Sequence, residues 1–385
     1  MVYLDNSATT RPSRAVRDAM AHSMEEVYFN PSALYGPAMQ AEKELTAARK
    51  ALADQLGVPA KNVIFTSGGT ESDNLAILGH LQTLRGKGEV LYTAAEHAAV
   101  KNACREAEAR FGCKAVEIPL TREGSVDLEA LEGMLSENTA MICVMQVCNE
   151  TGVIMPIAEI GKVCRERGVL FHTDAVQAVG HVPIDVKAMN IDMLSLSAHK
   201  FHGPKGVGAL YMKKGIRLPS YVMGGAQERN RRAGTENVAG IVGLGAAIAL
   251  ATQTLEESAA RMTKLRDKLI AGIAQRIPEV KLNGDPTMRL PNNVNYSIKY
   301  IEGESILLML DMNGIAASSG SACTSGSLDP SHVLLALGLS HEVAHGSVRM
   351  TLGDDTTDED IDYVLETLPK VAHRLRAMSP ISPID

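Results

Sequence analysis

Lys200 stands where a lysine can do chemistry: it follows Ser197-Ala198-His199 at the end of the apolar run MLSLSA and precedes the turn FHGPKG. Upstream, FHTDAVQAVG places Asp174 just beyond a second apolar run, with Gln177 one helical turn later on the same side. The run VIFTS leads into Gly68-Gly69-Thr70 and a helical ESDNLAILGHL, so Gly69 and Thr70 offer backbone N–H groups and a hydroxyl where a helix begins, which is an anion pocket. His97 ends a further candidate strand in TAAEHAAV. Each residue has a plainer reading by itself: Lys200 as a surface lysine, Asp174 as a helix N-cap, His97 as a hydrogen-bonded core histidine. Together they describe a site for an aldehyde cofactor with a pyridine ring and a phosphate. A lysine amine forms a Schiff base with such an aldehyde, a carboxylate keeps the ring nitrogen protonated, and a flat imidazole can lie over the ring.

Cys323 stands apart from the other cysteines. It lies in Ser318-Ser319-Gly320-Ser321-Ala322-Cys323-Thr324-Ser325-Gly326-Ser327, a run of small residues that predicts little burial and a mobile arm suited to carrying sulfur. Cys104, Cys113, Cys143, Cys148 and Cys164 sit among apolar neighbours and read as core fillers. The spacing has no C-x-x-C pair, so neither a disulfide framework nor a zinc site is expected, and no metal is assigned. The 385 residues are 45% hydrophobic and 22% charged, enough for a large core with a second, smaller one. The net charge of −7 is spread without blocks, which argues against nucleic acid and for small-molecule chemistry. MVYLDNSATTRPS is not a signal peptide and no apolar run approaches membrane-spanning length, so a cytoplasmic protein without a membrane partner is expected.

The elements that must position these residues alternate. NVIFTS, EVLYTA, AMICVMQV, GVLFHTD, MLSLSA and GVGALYM read as strands, separated by amphipathic stretches such as IAEIGKVCRERG. That order predicts an α/β unit whose mostly parallel sheet is covered by helices on both faces, with ligands at the strands' carboxyl ends. VAGIVGLGAAIALATQTLEESAARMTKLRDKLIAGIAQRI predicts one long helix or two abutting ones. NNVNYSIKY then reads as a strand and GESILLMLDMNG as a helix stopped by Gly314. A large domain over 15–255 is expected, with 1–14 joining 256–385 in a smaller α+β domain.

The motifs YLDNSATT, NPSALYG, TSGGTESDN, the EH of AAEHAAV, NETG, HTDAVQAVG, SAHKFHGPKGVG, RRAGTEN, SSGSACTSGSLDPSHVL and SVRMTLG span nearly the whole chain. In this order they resemble the NifS/IscS-type cysteine desulfurases, fold-type I pyridoxal-phosphate enzymes of the class V aminotransferase family. The resemblance implies a seven-stranded, mostly parallel sheet sandwiched by helices, and pyridoxal 5'-phosphate as cofactor. It implies that Lys200 holds the aldehyde, Asp174 pairs with the ring nitrogen, Gln177 contacts the ring hydroxyl and His97 stacks on the ring. Phosphate contacts would come from Gly69, Thr70, Ser197 and His199, with Thr235 reaching in from the second subunit of a homodimer. Arg349 and Asn149 would hold the substrate's carboxylate; a planar guanidinium suits that task.

The reaction this resemblance implies is the removal of sulfur from L-cysteine, leaving L-alanine and a persulfide on Cys323. Lys200, Cys323 and His97 would be the catalytic set, and a sulfur-acceptor protein such as an iron–sulfur scaffold the partner. A selenocysteine lyase, or another pyridoxal-phosphate lyase of this fold, is the alternative.

Overall fold

The computed structural model describes residues 1–319 and 329–380. After the short β1 (Val2–Tyr3), seven strands build the main sheet: β2 (Val63–Thr66), β3 (Glu89–Thr93), β4 (Lys114–Ile118), β5 (Thr139–Cys143), β6 (Leu170–Asp174), β7 (Met193–Ser197) and β8 (Gly208–Met212). Their order across the sheet is β2-β8-β7-β6-β5-β3-β4. β8 runs antiparallel to both neighbours and the other pairings are parallel, as the sequence predicts for a mostly parallel sheet. β7 and β8 are buried at every residue, which is why they read as unbroken apolar runs. β4, KAVEI, escapes a search for such runs because it is the edge strand and exposes Lys114 and Glu117.

Helices cover both faces. On one, Leu75, Ile77 and Leu81 of the helix Gly69–Leu81 and Val100 and Cys104 of the helix Ala98–Phe111 pack on Val90, Tyr92 and Met141. On the other, Leu45 and Leu52 of the helix Gly36–Gln55 join Ile160 of the helix Ile157–Arg167 and Leu244 of the helix Val238–Arg276. A separate core gathers Val2, Leu4, Leu269, Val294, Val348 and Leu368. It lies on an antiparallel sheet of β9 (Val280–Leu282), β10 (Asn293–Ile298) and β12 (Ser347–Thr351), with β1 pairing β11 (Ile315–Ala316) in parallel.

The stretch after Asn237 is one continuous helix of 39 residues. Its first half gives Leu244 and Ile248 to the main core, and its second half gives Leu265, Leu269 and Ile273 to the other. At Gly245 a Cβ would stand 2.7 Å from the Cβ of Ala48, so glycine there permits the close approach of the helix Gly36–Gln55. This helix corrects the expectation that no apolar run reaches membrane-spanning length: by length and composition it does. Leu244 and Ile248 instead pack into one core and Leu265, Leu269 and Ile273 into the other, Leu250 is exposed, and the helix Arg14–Glu25 also lies against it.

Candidate active site

Several chains of residues converge at the carboxyl ends of the parallel strands. After β2 the backbone turns at Gly68, whose φ of +155° suits only glycine, and enters the helix Gly69–Leu81. A Cβ at Gly69 would come 2.5 Å from Val176 Cγ2, so a side chain there would fill the space beside the helix's first N–H groups. β6 ends on Asp174, whose Oδ1 accepts from the Val176 N–H at 2.9 Å. β7 ends on Ser197 and passes through one tight turn to Lys200. His97 follows β3 and caps the helix Ala98–Phe111, its Nδ1 accepting from the Ala99 N–H at 3.1 Å; in the neutral ring this leaves the proton on Nε2.

These residues line one cavity of about 290 Å³. Gly69, Thr70, Ser197 and His199 stand along it with Lys200, Asp174, Gln177 and His97, and Asn149 and Arg349 complete it. Thr235 does not line it and is exposed. Cys323 lies outside the described residues, but one flank of its segment pairs with a cavity-lining residue and the other bonds the chain neighbours of two more. Ser318 pairs through its backbone with Arg349, the Arg349 N–H donating to the Ser318 carbonyl at 2.6 Å and the Ser318 N–H to the Arg349 carbonyl at 3.1 Å. On the other side Ser331 Oγ donates to Glu150 Oε2, and His332 Nε2 lies 3.1 Å from the Glu96 carbonyl.

The N-terminal strip ties the cavity's parts together. Lys200 Nζ donates to the carbonyls of Ser7 and, at 2.9 Å, Ala8; Gln177 Nε2 donates to the Ser7 carbonyl at 2.9 Å. His199 Nδ1 lies 3.1 Å from Thr9 Oγ1. Burial, with Lys200 and Lys205 nearby, pushes the His199 imidazole down to about 4, so it is neutral at pH 7. Arg349, 3% exposed, donates from Nη1 to the Asn149 carbonyl at 2.9 Å and from Nη2 to Asp5 Oδ1 at 2.8 Å. Its Nε is buried with no partner among the described residues.

Beside the cavity lies a cluster of buried polar groups, of which Asp73 lines it. Burial raises the carboxyls of Asp73 and Glu96, Glu96 to about 8, and the charge of Asp174 adds to both shifts. Burial also raises Asp174, but His97 and Lys200 favour its anion. The anion of Asp174 therefore has cationic neighbours, while burial favours the protonated forms of Asp73 and Glu96. His172 sits 3.0 Å from Ser195 Oγ and 3.5 Å from Asp73 Oδ1, and burial pushes it down to about 3, so it stays neutral. No group of His, Cys, Asp and Glu among the described residues could hold a metal ion.

The arrangement suits a flat cofactor with an acidic tail. The helix start at Gly69 and Thr70 receives an anion, Asp174 a ring cation, and the Lys200 amine a carbonyl carbon. Arg349's buried, unpartnered Nε–H calls for an acceptor from a second molecule such as a carboxylate.

Residues 2–364 match the sequence profile of the class-V aminotransferases. The chain belongs to that family. Within the class-V aminotransferases it is a member of the cysteine desulfurases: it is 51% identical to the cysteine desulfurase IscS of Methanosarcina thermophila over 99% of this chain and 94% of that one. Its fold superimposes on a NifS-like protein with a TM-score of 0.91, 34% identity and coverage of 97% and 100% of the two chains. A structure of SspA in complex with cysteine aligns with a TM-score of 0.82 and 34% identity, covering 91% of this chain and 99% of that one.

For this class-V aminotransferase, sequence reasoning placed Asp174, Lys200, His97, Gly69 and Thr70 at strand ends or a helix start, took Arg349 and Asn149 from the family resemblance, and missed Asp5, Ser7 and Asp73. Asp5 and Ser7 lie inside YLDNSATT, but nothing local shows that they meet Arg349 and Lys200. Asp73 had a usable signal, since it falls on the same helix face as Gly69 and Thr70 at helical spacing. Glu96, His172 and Glu150 sit beside residues that were named, and their burial among other acids and histidines exists only after folding.

Proposed function

We propose that this chain is a pyridoxal 5'-phosphate-dependent cysteine desulfurase that converts L-cysteine to L-alanine and takes the sulfur as a persulfide on Cys323. The observation that carries the reading is the single cavity uniting Lys200, Asp174, His97 and Arg349, with both flanks of the Cys323 segment hydrogen-bonded at its edge. When bound, pyridoxal 5'-phosphate supplies an electrophilic aldehyde and a ring that accepts electrons. Lys200 would hold that aldehyde, and its amine would serve as the base for the substrate's α-hydrogen. Asp174 keeps a proton at the ring nitrogen, and Gln177 meets the ring hydroxyl. His97 would cover the ring face and move a proton at Nε2. Gly69, Thr70, Ser197 and His199 take the phosphate, joined by Thr235 of a second subunit.

Arg349 and Asn149 fix the α-carboxylate. Cys323, five residues beyond Ser318 in the sequence, carries the attacking thiol. Its thiolate attacks the substrate sulfur. The S–S bond forms as the Cβ–S bond breaks, and the carbon gains a proton, so that cysteine and a thiol become alanine and a hydropersulfide. The cysteine complex of the related SspA supports L-cysteine as substrate.

A homodimer fits the exposed Tyr28, Leu34, Tyr35, Met39 and Met223, apolar surface that a second copy would cover. Five buried cysteines without a disulfide fit a reducing, cytoplasmic setting. The persulfide's destination would be an acceptor protein such as an iron–sulfur scaffold. The test is Cys323→Ala holoenzyme given L-cysteine: its visible absorbance should still respond while catalytic release of alanine and sulfide stops, and alanine formation at the wild-type rate would refute the reading.

A further inference from the structure

Arg349 is held on two sides before any substrate arrives. Nη1 is fixed by the Asn149 carbonyl and Nη2 by the Asp5 carboxylate, 2.9 and 2.8 Å away, and Nε is buried without a partner among the described residues. Arg349 lines the cavity and Asp5 does not, so the ion pair fixes a cavity-wall guanidinium from a residue that is not itself part of the lining. Asp5 is itself anchored. Its backbone bridges to Thr351, two residues beyond Arg349 on β12, and its carbonyl accepts from Tyr3 Oη at 3.1 Å. Past Asp5 the chain continues to Ser7, whose N–H donates to Thr351 Oγ1 at 2.8 Å, and to the Ser7 and Ala8 carbonyls that accept from Lys200.

A guanidinium presents two-pronged edges, and an amino-acid carboxylate needs one of them aimed at it with its plane fixed. A long arginine side chain held only by the Asn149 carbonyl could swing about that bond and lose side-chain order each time it met a substrate. A second, charged anchor on Nη2 removes that freedom. We propose that Asp5 is a positioning residue for the substrate: its ion pair with Nη2 fixes the orientation in which Arg349, on the cavity wall, meets the α-carboxylate. The inference rests on the reading of Arg349 as the carboxylate anchor. It assigns to the YLDNSATT segment a task beyond its carbonyl contacts to Lys200, because the same short strip then registers substrate anchor and amine against each other.

The alternative physics gives the opposite sign. If Asp5 merely competed with the substrate for the guanidinium, its removal would tighten binding. The test uses holoenzyme, with steady-state kinetics on L-cysteine and binding of L-alanine followed through the cofactor's visible absorbance. Asp5→Ala should raise KM for cysteine roughly tenfold, with a smaller fall in kcat, and weaken L-alanine binding in parallel, the size expected from losing a charge-assisted hydrogen bond. Asp5→Asn keeps an oxygen that accepts from Nη2 and should recover part of that loss. A KM equal to or below wild type in either variant, with L-alanine bound no more weakly, overturns the proposal; if Asp5→Ala does not fold, Asp5→Asn decides alone. Arg349→Ala separates the two levels. It should raise KM more than Asp5→Ala, and a KM unchanged by it defeats the anchor reading itself, whereas a raised KM there with none in the Asp5 variants defeats the Asp5 inference only.

Discussion

The two walls of the cavity are built differently. The wall formed by Asp174, Lys200, His97 and the Gly69 turn is local: each residue sits within a few positions of the end of its own strand, and the main sheet sets their spacing. The wall that holds Arg349 is assembled from distant pieces. Arg349 on β12 meets Asp5 and the Asn149 carbonyl, and its backbone pairs with Ser318. A rigid, buried sheet suits a cofactor that stays, while an anchor for a molecule that enters and leaves can be held by a few exchangeable polar contacts.

The sharpest way to break this contrast is at Gly69. A methyl added there meets Val176 Cγ2 at 2.5 Å, in the wall described as rigid. Gly69→Ala should weaken cofactor binding by tenfold or more, consistent with an overpacking cost of about 1–3 kcal/mol, while leaving the α-carboxylate contacts in place. Trimming the neighbour in Gly69→Ala/Val176→Ala should restore part of the affinity. Dialysis against the free cofactor, read by absorbance, measures both. A variant that binds cofactor as the parent does would show that this wall yields as easily as the other.

A smaller effect probes the buried polar cluster beside the cavity. Glu96 has its folded pKa raised to about 8 by burial, well above its ordinary value. The folded state therefore keeps a proton that the unfolded chain gives up. Stability is undiminished below the unfolded pKa, falls as pH rises toward 8, and levels off beyond it. His172 and His199 are depressed by burial, so their opposite effect is complete by about pH 6.5. Between pH 6.5 and 8, Glu96→Gln should remove a decline on the order of 1 kcal/mol from the unfolding free energy. Denaturant melts at several pH values measure it, and an identical slope in parent and variant would mean that Glu96 is already ionised.

How legible each wall was depends on the same contrast. Asp174 and Lys200 could be found because a polar residue at the end of a buried strand is conspicuous against the apolar run before it. The charged edge strand β4 was hidden for the converse reason, its alternation of apolar and charged residues being shared by many surface segments. The long helix could be foreseen but not its division of labour, since nothing in its sequence says that Leu244 and Leu269 belong to different cores. Arg349 came only from resemblance, and Asp5 from neither source, because a hydrogen bond between the first and last parts of a chain leaves no trace in local spacing. Cys323 was singled out by composition and lies outside the described residues, so its two flanks are what the structure adds.

The central claim is that the amine of residue 200 holds the cofactor beside Asp174. Holoprotein reduced with borohydride, digested and examined by mass spectrometry should carry the pyridoxyl group on the peptide containing Lys200. The same label on a different lysine, or no label on protein that had bound the cofactor, would contradict the account.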